Sequence, residues 1–147
     1  LTVLENVLAV VPSGADGAGA AAGDSPYALL DKVGLAGRAD DLAGELTLGM
    51  LKRLEVARAL ALQPRLLLLD EPLAGLTSGE AAELLAFIGT LRSRLSIVMV
   101  EHNVRLALPI CDRAVVMDAG AVIAAGSPEA VRTNPEVVRA YLGEDAG

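Results

Sequence analysis

Apolar residues change their spacing several times along this chain of 147 residues. Near the start, Thr2 and Glu5 have the spacing of a capping box ahead of Val7 and Leu8, which predicts a helix start within residues 1–11. Residues 27–33 carry Leu29, Leu30 and Val33 on one side and stop at Gly34, which predicts a short helix. Met50, Leu54, Ala57 and Ala61 then recur at helical spacing. They predict a helix from about residue 49 to 62, with Lys52, Arg53 and Glu55 on its solvent face and Pro64 ending it.

The period then changes. Leu66-Leu67-Leu68-Leu69 is a continuous apolar run between Pro64 and Pro72, too short for a helix. It reads as a strand buried on both faces, as in a parallel sheet. A second capping box, Thr77 and Glu80, opens a helix with Leu84, Leu85, Ile88 and Leu91 inward. Residues 96–100 (Ser-Ile-Val-Met-Val) repeat the buried-strand pattern, and residues 103–109 read as helical. Asp118-Ala119-Gly120 between two apolar stretches signals a hairpin. Ser127-Pro128 and Asn134-Pro135 each set a capping residue before a first-turn proline, so two short helices close the chain. The order strand, helix, strand, helix from residue 65 predicts an α/β fold with a parallel sheet, and the first third is helical. Within that first third, residues 12–26 hold no side chain larger than Asp or Pro and read as a flexible Gly/Ala linker.

Composition narrows the classes. Hydrophobic residues make up 53% of the chain, enough for a core and too many for wholesale disorder. Mean hydropathy is +0.50, yet apolar runs of four or five residues fall far short of the roughly 20 that a membrane span needs, so a soluble chain is expected. The net charge of −7 argues against a nucleic-acid surface. Cys111 is the only cysteine, which excludes an internal disulfide and reads as a small buried hydrophobe. Leu1 is not preceded by a basic, apolar leader, and a first residue other than Met suggests a lost N-terminus.

The chemistry concentrates at Asp70-Glu71, two adjacent carboxylates at the C-terminal end of a buried strand. Open α/β sheets bind ligands at that edge. There one carboxylate can hold Mg²⁺ through its water shell, and the next can polarise a water for attack on a phosphoryl group. An ordinary strand end capped by acids before a turn fits the same segment. Upstream, Thr47 and Gly49 stand at a helix N-terminus, where amides and dipole favour an anion such as phosphate. His102, the only histidine, follows the second strand. It is either a satisfied structural side chain or a group that reaches the same sheet edge.

In this order the blocks resemble the nucleotide-binding domains of ABC transporters. Leu46-Thr47-Leu48-Gly49-Met50 and the following Lys-Arg-Leu-Glu-Val-Ala-Arg-Ala-Leu look like the signature loop and helix. Leu66–Glu71 looks like Walker B, Ala74–Thr77 like the D-loop, and His102 like the switch histidine. The opening Leu-Thr-Val-Leu-Glu-Asn-Val, the signature helix and the closing Asn-Pro-Glu-Val-Val-Arg-Ala-Tyr-Leu-Gly resemble ATP-binding subunits of branched-chain amino acid importers. The resemblance implies a P-loop NTPase (ABC ATPase) core with ATP and Mg²⁺ as its cofactors. It implies a helical subdomain over 1–62 and the C-terminal part of the α/β core over 63–147, ending in the hairpin and short helices.

Residue by residue, the resemblance gives Asp70 a role supporting Mg²⁺, Glu71 that of general base, and His102 a contact to the γ-phosphate. Thr47 and Gly49 would contact nucleotide held by a second ATP-binding subunit, with Ala74, Gly75 and Leu76 along that dimer seam. Permease subunits at the cytoplasmic face of the membrane, and indirectly an external substrate-binding protein, are the implied partners. Two departures stand out. The signature reads Leu-Thr-Leu-Gly-Met where Leu-Ser-Gly-Gly-Gln is commoner, keeping the hydroxyl and one glycine. The lysines, Lys32 and Lys52, are followed by Val33 and Arg53, so there is no Gly-Lys-Ser/Thr P-loop, and the one glutamine, Gln63, precedes Pro64, so the Q-loop is missing too. An N-terminally truncated, inactive piece of an ATPase subunit is therefore expected. A non-catalytic module supplying only a signature loop to a partner is the alternative, and an ATPase for DNA repair or translation is disfavoured by the acidic balance.

Overall fold

The structure, a computed structural model, describes residues 1–11 and 24–142. It divides into two compact units, Leu1–Val100 and Glu101–Gly147.

In the first unit, helices α1 (Val3–Leu8), α2 (Pro26–Lys32) and α3 (Leu48–Ala61) close over a shared apolar cluster. Val3, Val7, Leu30 and Ala57 are sealed from solvent, and Leu29, Val33, Leu35 and Leu54 nearly so. Burying side chains of this size contributes about 1.5–3 kcal/mol each. The capping box at Thr2 and Glu5 forms as its spacing predicts, with Thr2 Oγ1 accepting from Glu5 N at 3.1 Å. Val3 N and Leu4 N donate to the carbonyls of Asp41 and Ala39, each at 2.9 Å, which anchors α1 to the turns before α3. Most of the expected linker, residues 12–23, lies outside the described residues. Its last residues are part of α2: Ser25 caps the helix by accepting from Ala28 N at 3.2 Å, and Pro26 is the first helical residue.

Strand β1 (Leu66–Asp70), helix α4 (Ser78–Leu91) and strand β2 (Ser96–Val100) form a β-α-β unit. The strands pair in parallel from Leu66 opposite Ser96 to Asp70 opposite Val100. In α4 the predicted inward residues Leu84, Leu85, Ile88 and Leu91 are all buried. The sheet departs from expectation. Leu67 is buried and Ile97 and Met99 are half-buried, but Leu66, Leu68, Val98 and Val100 on the opposite face are 48%, 68%, 52% and 58% exposed. An all-apolar run signals a strand built for cover on both faces. Among the described residues only one face of this sheet is covered. The solvent face expected for α3 also departs: Lys52 and Arg53 are half-buried, and Arg53 pairs with Glu83 of α4.

In the second unit, α5 (Val104–Ala107) runs into a 3₁₀ turn at Leu108–Ile110. Strands β3 (Ala114–Asp118) and β4 (Ala121–Gly126) form the predicted antiparallel hairpin. Its turn residues Ala119 and Gly120 have φ of 45° and 82°, the left-handed pair that matches strand twist in a two-residue loop. Helices α6 (Pro128–Arg132) and α7 (Pro135–Val137) follow, each capped by the residue before its proline, and a π turn covers Val138–Leu142. Leu108, Val116, Val131 and Val137 make this unit's core. Tyr141 Oη donates to the Met117 carbonyl at 2.6 Å, tying the terminal turn to the hairpin.

Candidate functional site

The acidic pair sits where the strand pattern puts it. Asp70 is the last residue of β1, exposed, opposite Val100. Glu71 leaves the strand with its amide donating to the Val100 carbonyl at 2.9 Å, and its own carbonyl accepts from Ala74 N at 3.1 Å. Its φ is 44°, a left-handed conformation that costs a non-glycine residue about 1–2 kcal/mol. Its two backbone hydrogen bonds hold the residue in this conformation. Pro72 and Leu73 then turn into the interior, so both carboxylates stay at the rim of the sheet.

Thr47 caps α3, its Oγ1 accepting from Met50 N at 3.3 Å, and the residue is exposed. The first turn of a helix leaves amides without intrahelical acceptors, the feature that lets an anion dock there. Gly49 is buried in that turn. The 74–76 loop contains Gly75 at φ 76°. A Cβ on Gly75 would lie 2.7 Å from Leu48 Cδ2, so the turn at 47–49 and the loop at 74–76 are packed together. His102 is exposed and belongs to the second unit, where its carbonyl accepts from Val104 N at 3.0 Å.

The donor set is of the kind that hard divalent cations take. Asp70 and Glu71 offer hard carboxylate oxygens, and among the described residues no three His, Cys, Asp or Glu side chains converge to hold a metal by themselves. Mg²⁺ is commonly bound by one or two carboxylates, with waters and substrate phosphates filling its octahedron. Glu80 is a residue of the site region that the sequence marks only as a helix cap. Its carboxylate accepts from Thr77 N at 3.0 Å and from Thr77 Oγ1 at 2.8 Å. These bonds from Thr77, backbone first, hold it below the usual glutamate value, with a smaller contribution from the Arg53 charge against some desolvation. Its capping box was the one available signal, and its contact with Gly49 had none.

A family profile described as ABC transporter matches residues 1–74. The chain belongs to that family. A second profile, for the branched-chain amino acid ATP-binding cassette transporter, matches residues 121–147. The chain is 44% identical over 117 residues to the high-affinity branched-chain amino acid transport ATP-binding protein BraF of Pseudomonas aeruginosa, covering 78% of this chain and 46% of that protein. LivG of Escherichia coli, a protein with the same description, matches equally well. Identity to the lipopolysaccharide export system ATP-binding protein LptB of Haemophilus influenzae is 38% over 98% of this chain and 60% of that protein. The solved ATP-binding cassette MJ1267 superposes with a TM-score of 0.79 at 28% identity, over 95% of this chain and 62% of that one. The fold is therefore that of ABC ATPase domains, with a P-loop NTPase architecture. The chain spans roughly half the length of the curated relatives it matches, 46–60% of each. Among the described residues no helix is long and apolar enough to cross a membrane.

Proposed function

We propose that these residues supply the signature turn, acidic strand end, D-loop and switch histidine of an ATP-hydrolysing subunit in a branched-chain amino acid importer. The observation that carries the reading is the acidic pair at the end of β1, with Glu71 fixed in a left-handed conformation by the β2 carbonyl. The similarity to BraF and LivG, and the separate match of residues 121–147, support the importer branch over others in the family. Residues 1–62 form the helical part of the subunit and 63–147 the later part of its α/β core, with the phosphate-cradling P-loop outside these 147 residues.

In this reading Asp70 would help hold Mg²⁺ through a water, and Glu71 would take the proton of the attacking water as the water oxygen bonds to the γ-phosphorus and the bond to the β–γ bridging oxygen breaks, releasing ADP and phosphate. Mg²⁺, when bound, would neutralise charge on the triphosphate. His102 contacts the γ-phosphate. Thr47 and Gly49 present hydroxyl and amide to nucleotide held by a second ATP-binding subunit, and Ala74, Gly75 and Leu76 lie along that seam. The subunit works peripherally at the cytoplasmic face, bound to permease subunits that receive substrate from an external binding protein.

The test is a chimera in which residues 1–147 replace the matching part of BraF, so that its P-loop half completes the site. Mg-ATP turnover is expected, and Glu71→Gln should lower it about 10²–10⁴-fold, the span of general-base catalysis, while ATP affinity stays within twofold. Unchanged turnover in that variant removes Glu71 from the role. The second reading, a module that lends only its signature turn, is favoured by the lack of Gly-Lys-Ser/Thr in these residues. It predicts a chimera that binds ATP, never hydrolyses it, and stimulates a partner ATPase through Thr47 and Gly49.

A further inference from the structure

The N-termini of α3 and α4 meet, and one carboxylate caps α4 while lying against the first turn of α3. Glu80 Oε2 is engaged by Thr77 N and Oγ1, which closes the capping box of α4. The other oxygen faces Gly49 in the first turn of α3: a Cβ built there would lie 2.7 Å from Glu80 Oε1, 3.1 Å from its Cδ and 3.3 Å from its Cγ. Glu80 could swing aside only by breaking the box that holds Thr77. Two further contacts join the same segments. Leu48 packs on Gly75, and Arg53 pairs with Glu83 one turn deeper along both helices. A negative group beside the positive end of α3 is electrostatically favourable as well.

We propose that Glu80 is a positioning residue that fixes the Thr47–Gly49 turn against the Gly75–Thr77 loop, so that the two segments shift as one body. The catalytic meaning of that coupling rests on the ATPase reading above, since those segments face the phosphate and the dimer seam only if that reading holds. The coupling itself is a property of the folded chain and is measured without nucleotide.

Gly49 is therefore required by Glu80. Alanine is ordinarily the better helix former, so Gly49→Ala should stabilise a helix that had no such neighbour. In the 147-residue chain it is expected to lower the thermal midpoint by about 4 °C. In a Glu80→Ala background the same change should leave the midpoint unchanged or raise it. Glu80→Gln keeps the length and an acceptor, so the penalty should persist there. If Gly49→Ala does not fold alone, recovery by Glu80→Ala is the expected result, and failure to recover overturns the proposal, as does an equal penalty in all three backgrounds.

A carboxyl titration followed by NMR gives a readout that helix capping alone would not move. Glu80 titrates below the ordinary glutamate value in the parent chain, through its bonds from Thr77 and, less, the charge of Arg53, against some desolvation. Gly49→Ala should move that midpoint upward by displacing Glu80 from Thr77, and an unmoved midpoint rejects the coupling. A chimera without ATP turnover but with this pattern sinks the function and leaves the coupling. Additive midpoints in an active chimera do the reverse.

Discussion

The helical cluster and the β-α-β segment of the first unit are built from similar aliphatic residues, yet they end in different states. Around Leu30 the apolar faces of α1, α2 and α3 meet one another, and the cluster is closed. On the sheet, Leu67 finds cover and Leu68, its neighbour, is 68% exposed. A helix presents one apolar stripe and is satisfied by a single packing partner. A strand made wholly of leucine presents two faces and needs two. Identical side chains thus differ in energetic value according to how many layers surround their element.

Substitutions can break that contrast. Leu30→Ala should have the largest effect, a loss of about 2–5 kcal/mol in denaturant unfolding, because it opens a cavity in a sealed core. Leu68→Ala is expected to stay within about 0.5 kcal/mol, as surface changes do. If the two losses match, the open face is covered in solution by something that sheds water as well as a core does. A cap sharpens the picture at intermediate size. Thr77→Ala should cost about 1 kcal/mol, measured by the same unfolding curves, since it removes the hydroxyl that receives Glu80 N at 3.3 Å.

The lowered Glu80 value carries a sign. A carboxyl depressed in the folded state stabilises above its unfolded value and loses that contribution as pH falls through the folded one. Stability should therefore decline on acidification from just above the ordinary value of 4.5 downward. Glu80→Gln should flatten that part of the profile, read as thermal midpoint against pH. A change of opposite sign is expected in the hairpin. Ala119→Gly relieves a φ of 45° and should raise stability by up to about 1 kcal/mol, visible as a higher thermal midpoint.

Much of the architecture was legible in the sequence because its signals are local. The capping boxes at Thr2 and Thr77 and the Ser-Pro and Asn-Pro starts of α6 and α7 all act within four residues. Ser25-Pro26 carried the same signal as Ser127-Pro128 and was absorbed into the small-residue stretch beside it. The exposure of Leu66, Leu68, Val98 and Val100 could not be read, since a run of aliphatic residues says how many layers a strand suits and not how many it receives. At the site, Asp70, Glu71, Thr47 and Gly49 stand on the elements that the pattern assigned to them. The packing of Leu48 on Gly75 and of Glu80 on Gly49 was hidden, because residues distant in sequence meet there through tertiary packing of α3 and α4.

The hydrogen bond from the Glu71 N–H to the Val100 carbonyl makes the strand ladder a ruler for one acidic oxygen pair. A slip of β2 by a single residue would carry the Val100 carbonyl about 3.3 Å along the sheet and strand the Glu71 N–H without its acceptor. Mutations that loosen the alignment of two neighbouring strands, even near Ser96 at the far end, would thus blur where this carboxylate stands.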